Sequence, residues 1–212
     1  MPVWGELTMD NQKRGMRFSH ENEKAAPDCY QVKFDNGVST ALSATSRGAV
    51  FEITYPSEEG QYIVVDAYQH GGSVVWNKEE NCIYGITHYN NGGVPENFAN
   101  YFIIEFDKPV VESGIDENSC AYVKFQLEAG EKMTVRTASS FISHDQARLN
   151  FNREVAGRSL AEVSAEAKKI WNDQLGRIQV EGGTHEQQKT FYSCLYPVSY
   201  THLRAHETLR HL

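Results

Sequence analysis

The chain has 212 residues, with 20 Lys+Arg against 28 Asp+Glu, a formal net charge of -8, and 40% hydrophobic and 11% aromatic residues. That length fits one large domain or one domain with appendages, and the apolar content is enough for a packed core. An acidic balance without a Lys/Arg cluster argues against nucleic acid as a partner. No apolar run, Tyr101 to Ile104 included, approaches the ~20 residues that span a bilayer, so no membrane span is expected.

In chain order, Met1 to Glu6 carries no basic, apolar leader, and no signal peptide is expected in this chain. Tyr30 to Phe34 alternates as a strand does, and Asp35-Asn36-Gly37 is a hairpin signal. Val38 to Arg47 follows as a Ser/Thr-rich strand that Gly48 should break. Phe51, Ile53 and Tyr55 line one face of the next strand, which ends at Pro56. Tyr62 to Ala67 reads as a buried strand, and Ser73 to Trp76 and Ile83 to Tyr89 flank a polar turn. Tyr101 to Phe106 is apolar on both faces and should be central in a sheet. Val123 to Leu127 and Lys132 to Ala138 complete a β-rich stretch over 28–138, whose regular spacing suggests a sandwich or barrel. The period then changes to 3.6, with Leu160, Val163, Ala167, Ile170, Trp171 and Leu175 on one stripe. Ser143-x-x-Gln146, Ser159-x-x-Glu162 and Thr184-x-x-Gln187 are capping-box patterns that open helices near 144–155, 160–175 and 185–195. Pro197 removes a backbone donor and should stop the third.

Cysteines stand at 29, 82, 120 and 194 with no C-x-x-C pair, which argues against a zinc ribbon or a redox motif. Buried free thiols are the default, and spacing leaves disulfides open. His202 and His206 are four apart, but no third ligand at a familiar spacing joins them, so no metal site is expected in this chain.

Four segments carry a resemblance: Phe18 to Tyr30, with Ser19-His20, Glu23, Ala25 and Pro27; Leu42 to Gly48, with Arg47; Ser140-Phe141-Ile142-Ser143 with Ala147 and Asn150; and Trp171 to Tyr196, with Val180-Glu181-Gly182-Gly183-Thr184 and Gln187. Together they resemble the N-terminal domain of the family 92 glycoside hydrolases, bacterial exo-acting α-mannosidases. The resemblance implies a mainly β fold. Residues 1–140 would be an antiparallel β-sandwich of the galactose-mutarotase-like kind, incomplete at its start, and residues 141–196 linker helices leading to an absent (α/α) barrel. It implies calcium and inversion in the complete enzyme, mannose-containing glycans as substrate, and export to the periplasm or cell surface. Calcium ligands and catalytic carboxylates would lie mostly on the barrel, so this chain is expected to hold no catalytic residue, no calcium and no turnover of its own. The stretch 197–212 is similar to translated sequencing-adapter read-through and is expected to be a non-native tail. The rival expectation is a stand-alone carbohydrate-binding sandwich.

Inverting hydrolysis needs two carboxyl groups on opposite sides of the scissile bond. Acidic pairs occur at Glu21/Glu23, Glu58/Glu59, Glu79/Glu80 and Asp116/Glu117, the last three in expected turns where charge serves solvation. His20, Glu21 and Glu23 are substrate-binding candidates, against the alternative that they pin an irregular loop to the sheet. Arg47 could grip sugar hydroxyls with its forked donors or form a structural ion pair. Trp76 could stack on a pyranose at the sandwich rim or pack in the core.

Overall fold

A computed structural model of the chain describes residues 1–67, 71–90 and 92–208, with side chains through 196. Twelve strands occur among them: β1 (Pro2–Trp4), β2 (Glu23–Ala25), β3 (Tyr30–Lys33), β4 (Ser39–Ala44), β5 (Gly48–Thr54), β6 (Gln61–Asp66), β7 (Ser73–Asn77), β8 (Cys82–Thr87), β9 (Asn100–Phe106), β10 (Glu112–Ile115), β11 (Cys120–Phe125) and β12 (Lys132–Ser140). Three helices follow: α1 (His144–Glu154), α2 (Leu160–Leu175) and α3 (His185–Thr208). The strands form two antiparallel sheets, a four-stranded one in the order β1-β6-β11-β10 and an eight-stranded one in the order β2-β3-β4-β5-β12-β9-β8-β7. This is the expected mainly β sandwich with C-terminal helices.

Local chemistry explains most of these elements. Gly37 adopts φ +93 in the β3–β4 turn, while the Asn36 side chain accepts from the Val38 amide at 3.2 Å, so the Asp-Asn-Gly signal closes its hairpin as expected. Gly48 opens β5 instead of breaking a strand. A Cβ there would lie 2.8 Å from the Thr137 carbonyl and 2.9 Å from a Val155 methyl, so glycine lets the turn approach β12 and the end of α1. All three capping serine and threonine side chains accept an amide of the first turn: Ser143 from Gln146 at 3.1 Å, Ser159 from Glu162 at 3.3 Å and Thr184 from Gln187 at 3.3 Å. The third helix runs on through Pro197 to Thr208, contrary to the expected stop. Proline deletes one amide donor, and the helix continues on the bonds of the flanking residues.

Two buried layers hold the fold. Between the sheets lie Ile53, Tyr55, Ile63, Val123, Phe125 and Met133, among others. On the outer face of the eight-stranded sheet, Val50, Ile103 and Ala138 meet Phe151, Val155 and Val163 of the first two helices. At roughly 1.5–3 kcal/mol per fully buried large side chain, each layer offsets a substantial part of the chain entropy. Gln61 is 0% exposed inside the sandwich. Its amide donates to the Ser57 and Leu127 carbonyls at 2.7 and 3.0 Å and accepts from the Leu127 amide at 2.8 Å. Strand β9 lies between β12 and β8, central as expected, and β12 lies between β5 and β9, joining the two halves of the larger sheet. The cysteines form no disulfide; Cys82 and Cys120 are buried and Cys194 is exposed.

Candidate functional site

The first candidate segment lies along the free edge of the eight-stranded sheet. Ser19 caps a single 3₁₀ turn over His20–Asn22, which delivers the chain into the edge strand β2. The His20 ring lies with Nδ1 2.7 Å from Glu23 Oε2, and the Tyr30 hydroxyl donates to Glu23 Oε1 at 2.7 Å. These bonds, His20 first and Tyr30 second, hold the Glu23 carboxyl below its usual range, and the same carboxylate pushes the Tyr30 phenol up. The His20 side chain is otherwise exposed. Glu21 and Glu23 also line an open groove of about 490 Å³, with Lys24, Gln31, Lys33 and Glu52 among its other walls. Lys132 bridges Glu52 at 2.8 Å along that groove.

Arg47 is elsewhere. It sits in the β4–β5 turn, where its amide donates to Glu154 Oε2 at 2.8 Å and its guanidinium lies 3.6 Å from Glu154 Oε1. The Thr45 hydroxyl donates to the same Oε2 at 2.6 Å. Glu154, at the end of α1, thus fastens this turn to the helix. Trp76 lies on β7, at the opposite edge of the sheet from β2. It packs against the inter-sheet core, 6.2 Å from the Phe106 ring, and donates no face to the groove. Seven interstrand steps of roughly 4.8 Å separate β2 from β7, on the order of 30 Å along the sheet. The structure therefore brings His20, Glu21 and Glu23 together and leaves Arg47 and Trp76 apart from them.

Asp116 and Glu80, from two of the remaining acidic pairs, serve local structure. The Asp116 carboxylate accepts from the Asn118 and Cys120 amides at 2.8 and 2.9 Å. Glu80 accepts from the Tyr84 hydroxyl at 2.8 Å and pairs with Arg148, whose guanidinium lies 5.1 Å from the Tyr84 ring centre. The Tyr84 hydrogen bond, with Arg148 behind it, holds the Glu80 carboxyl low, while burial pushes the Cys82 thiol up to about 11. Neither Glu154 nor Arg148 was a sequence candidate. Their partners lie more than 60 residues away in sequence, and no local pattern announces them. Among the described residues no three His, Cys, Asp or Glu side chains come together to hold a metal ion.

The chain is an antiparallel sandwich whose first two helices pack on its larger sheet, and the comparisons with known proteins give its family. The model of the glycosyl hydrolase family 92 N-terminal domain matches residues 1–140, and that of the family's catalytic domain matches residues 146–208. The chain belongs to glycosyl hydrolase family 92. It is 53% identical to a family 92 inverting mannosidase from Bacteroides thetaiotaomicron VPI-5482, with a TM-score of 0.90 over 93% of this chain and 29% of that one. An α-mannosidase of the same family from Bacteroides thetaiotaomicron is 25% identical, with a TM-score of 0.83 over 92% of this chain and 30% of that one. An uncharacterized secreted glycosidase of Arthroderma benhamiae is 20% identical over 87% of this chain and 29% of its own length. The chain thus spans less than a third of the length of each of these relatives.

Proposed function

We propose that this chain is the N-terminal sandwich and the opening helices of an exported, inverting α-mannosidase that acts on mannose-containing glycans. The observation that carries the reading is the 53% identity to an inverting mannosidase over 93% of the chain. Export is supported by the secreted relative. The match of the catalytic-domain model to 146–208 argues against a stand-alone binding module.

Inversion requires an acid and a base carboxyl roughly 6.5–9.5 Å apart, with room for water between them. Glu21 and Glu23 share the groove, but Glu23 is engaged by His20 and Tyr30. In this proposal the acid and base therefore come from further parts of the catalytic domain, and the sandwich positions them. His20, held by Glu23, offers a ring nitrogen to a sugar hydroxyl, and Arg47, fixed through Glu154, offers guanidinium donors. Calcium would be an oxygen-liganded ion. Among the described residues no three His, Cys, Asp or Glu side chains gather to hold such an ion, and in this reading its ligands come from the further parts of the enzyme.

The test is a chimera in which this chain replaces the matching part of the Bacteroides inverting mannosidase. Hydrolysis of an α-mannoside with β-mannose as the first product, followed by NMR, is the expected result. An unfolded chimera leaves the reading to the 212-residue chain, which should show no turnover. Release of mannose by that chain alone, or retention by the chimera, would overturn the proposal.

A further inference from the structure

The outer face of the four-stranded sheet is turned away from the helices, which pack on the other sheet. Along β11, Cys120, Tyr122 and Lys124 share this face. The pairing sets Asp66, Val64 and Tyr62 of β6 beside them on one flank, and Gly114 and Glu112 of β10 beside Tyr122 and Lys124 on the other. Val3, Val64 and Cys120 are buried in the middle, covered by Leu7 and Met9 from the segment after β1 and by the two tyrosines. At one end of the face is a cleft of about 210 Å³ walled by Asp10, Asn11, Asp66, Asp116 and Asn118, with Cys120 beside them. It is smaller than the roughly 300–1,000 Å³ of pockets for drug-sized ligands, so it suits one small ring.

The walls of the cleft are held in place. Asp10 Oδ1 accepts from the Gln12 amide at 2.9 Å, Asp66 Oδ2 accepts from buried Arg14 at 2.5 Å, and Asp116 accepts from two amides of its own turn. A carboxylate has about four lone-pair sites, so these bonds leave acceptors to spare, and Asn11 and Asn118 add amide donors. Among the described residues no three such acidic side chains converge as metal ligands do. Acceptors spread around a cleft, with amide donors among them, match a ring of hydroxyl groups rather than an ion. Tyr122 stands two residues from Cys120, roughly 6.6 Å along the strand. A Cβ at Gly114 would lie 2.5 Å from Tyr122 Cε1, so glycine lets the ring lean over β10, where its hydroxyl donates to Glu112 at 2.8 Å. Lys124 donates to the same carboxylate at 3.2 Å and lies 5.7 Å from the Tyr62 ring centre. An aromatic ring with a carboxylate and an ammonium at its edge complements a pyranose, which has an apolar C–H face and hydroxyls around its rim.

We propose that this face is a second glycan-binding site, in which one hexopyranose seats its hydroxyls in the cleft and the next sugar of the chain lies against Tyr122. The choice of mannose as that sugar rests on the enzyme reading above; the chemistry of the face does not. The site belongs to the other sheet from the groove at β2. It therefore holds a neighbouring stretch of a polymeric substrate and takes no part in bond cleavage.

The experiment is affinity electrophoresis of the 212-residue chain through native gels that contain an α-mannan or, separately, dextran, with thermal unfolding of each variant alongside. The mannan should slow the unaltered chain. Tyr122→Ala, and Asn11→Ala combined with Asn118→Ala, should each weaken that retardation by about tenfold, the worth of one or two neutral contacts. If Tyr122→Ala loses its unfolding transition, the asparagine pair decides, since both side chains are exposed. No retardation in either gel, or retardation that the asparagine pair leaves unchanged, overturns the inference. Retardation by dextran alone that the pair abolishes keeps the site and counts against the mannosidase reading.

Discussion

One carboxylate fastens the β4–β5 turn to the end of α1, and Glu154→Ala tests it. Glu154 Oε2 accepts from the Thr45 hydroxyl at 2.6 Å and the Arg47 amide at 2.8 Å, and the side chain is 19% exposed. Hydrogen bonds to an ionised group are worth about 1.5–3 kcal/mol each, less where water can replace the partner. Thr45 is half-buried and the Arg47 amide is exposed, so the first bond should count in full and the second in part. The loss should total about 2–3 kcal/mol, or about 5–10 °C in melting temperature for a chain of this size. Arg47→Ala removes only the 3.6 Å ion pair from a 51% exposed guanidinium and keeps the amide bond, so it should cost less than about 1 kcal/mol. Thermal and urea unfolding of the two variants and their combination gives the comparison. Equal losses from Glu154→Ala and Arg47→Ala, or a Glu154→Ala change below about 0.5 kcal/mol, would refute the carboxylate as the fastening element.

Gln61→Leu should destabilise the sandwich by about 2–4 kcal/mol, read from urea midpoints, because it strands the Leu127 amide and the Ser57 and Leu127 carbonyls in the core. Glu23 titrates lower in the folded chain than its ordinary 4.5. Its stabilising contribution is therefore present above that value and lost as pH falls through the lower folded one. Glu23→Gln should flatten the urea midpoint against pH below about 4.5, and an unchanged slope would contradict the His20–Glu23–Tyr30 arrangement.

What could be read ahead of the structure was what is encoded locally. The Asn36-Gly37 turn, the three helix caps and the alternation of Val123 to Leu127 each depend on residues a few positions apart. Strands β1, β2 and β10 carried no such signal. Glu23-Lys24-Ala25 is a poor strand former, and Glu112 to Ile115 contains Gly114 under the Tyr122 ring, so each is extended because a neighbouring strand pairs with it. The candidate site divides the same way. His20 and Glu23 are three residues apart and could be seen together. The engagement of Arg47 by Glu154 spans 107 residues and could not.

The position of β12 sets a timetable for biosynthesis. Its Lys132 pairs with Thr54 and its Ser140 with Tyr101, so the β2–β5 set on one side of it and the β7–β9 set on the other remain separate until this last strand is made. A nascent chain growing at about 5–20 residues per second holds the β5 edge open for on the order of ten seconds and the β9 edge for about 2–7 seconds before closure. Such distant pairings slow the final step. Chaperone dependence during synthesis, rather than fragility of the finished sheet, is then the point at which mutations in β12 should first be felt.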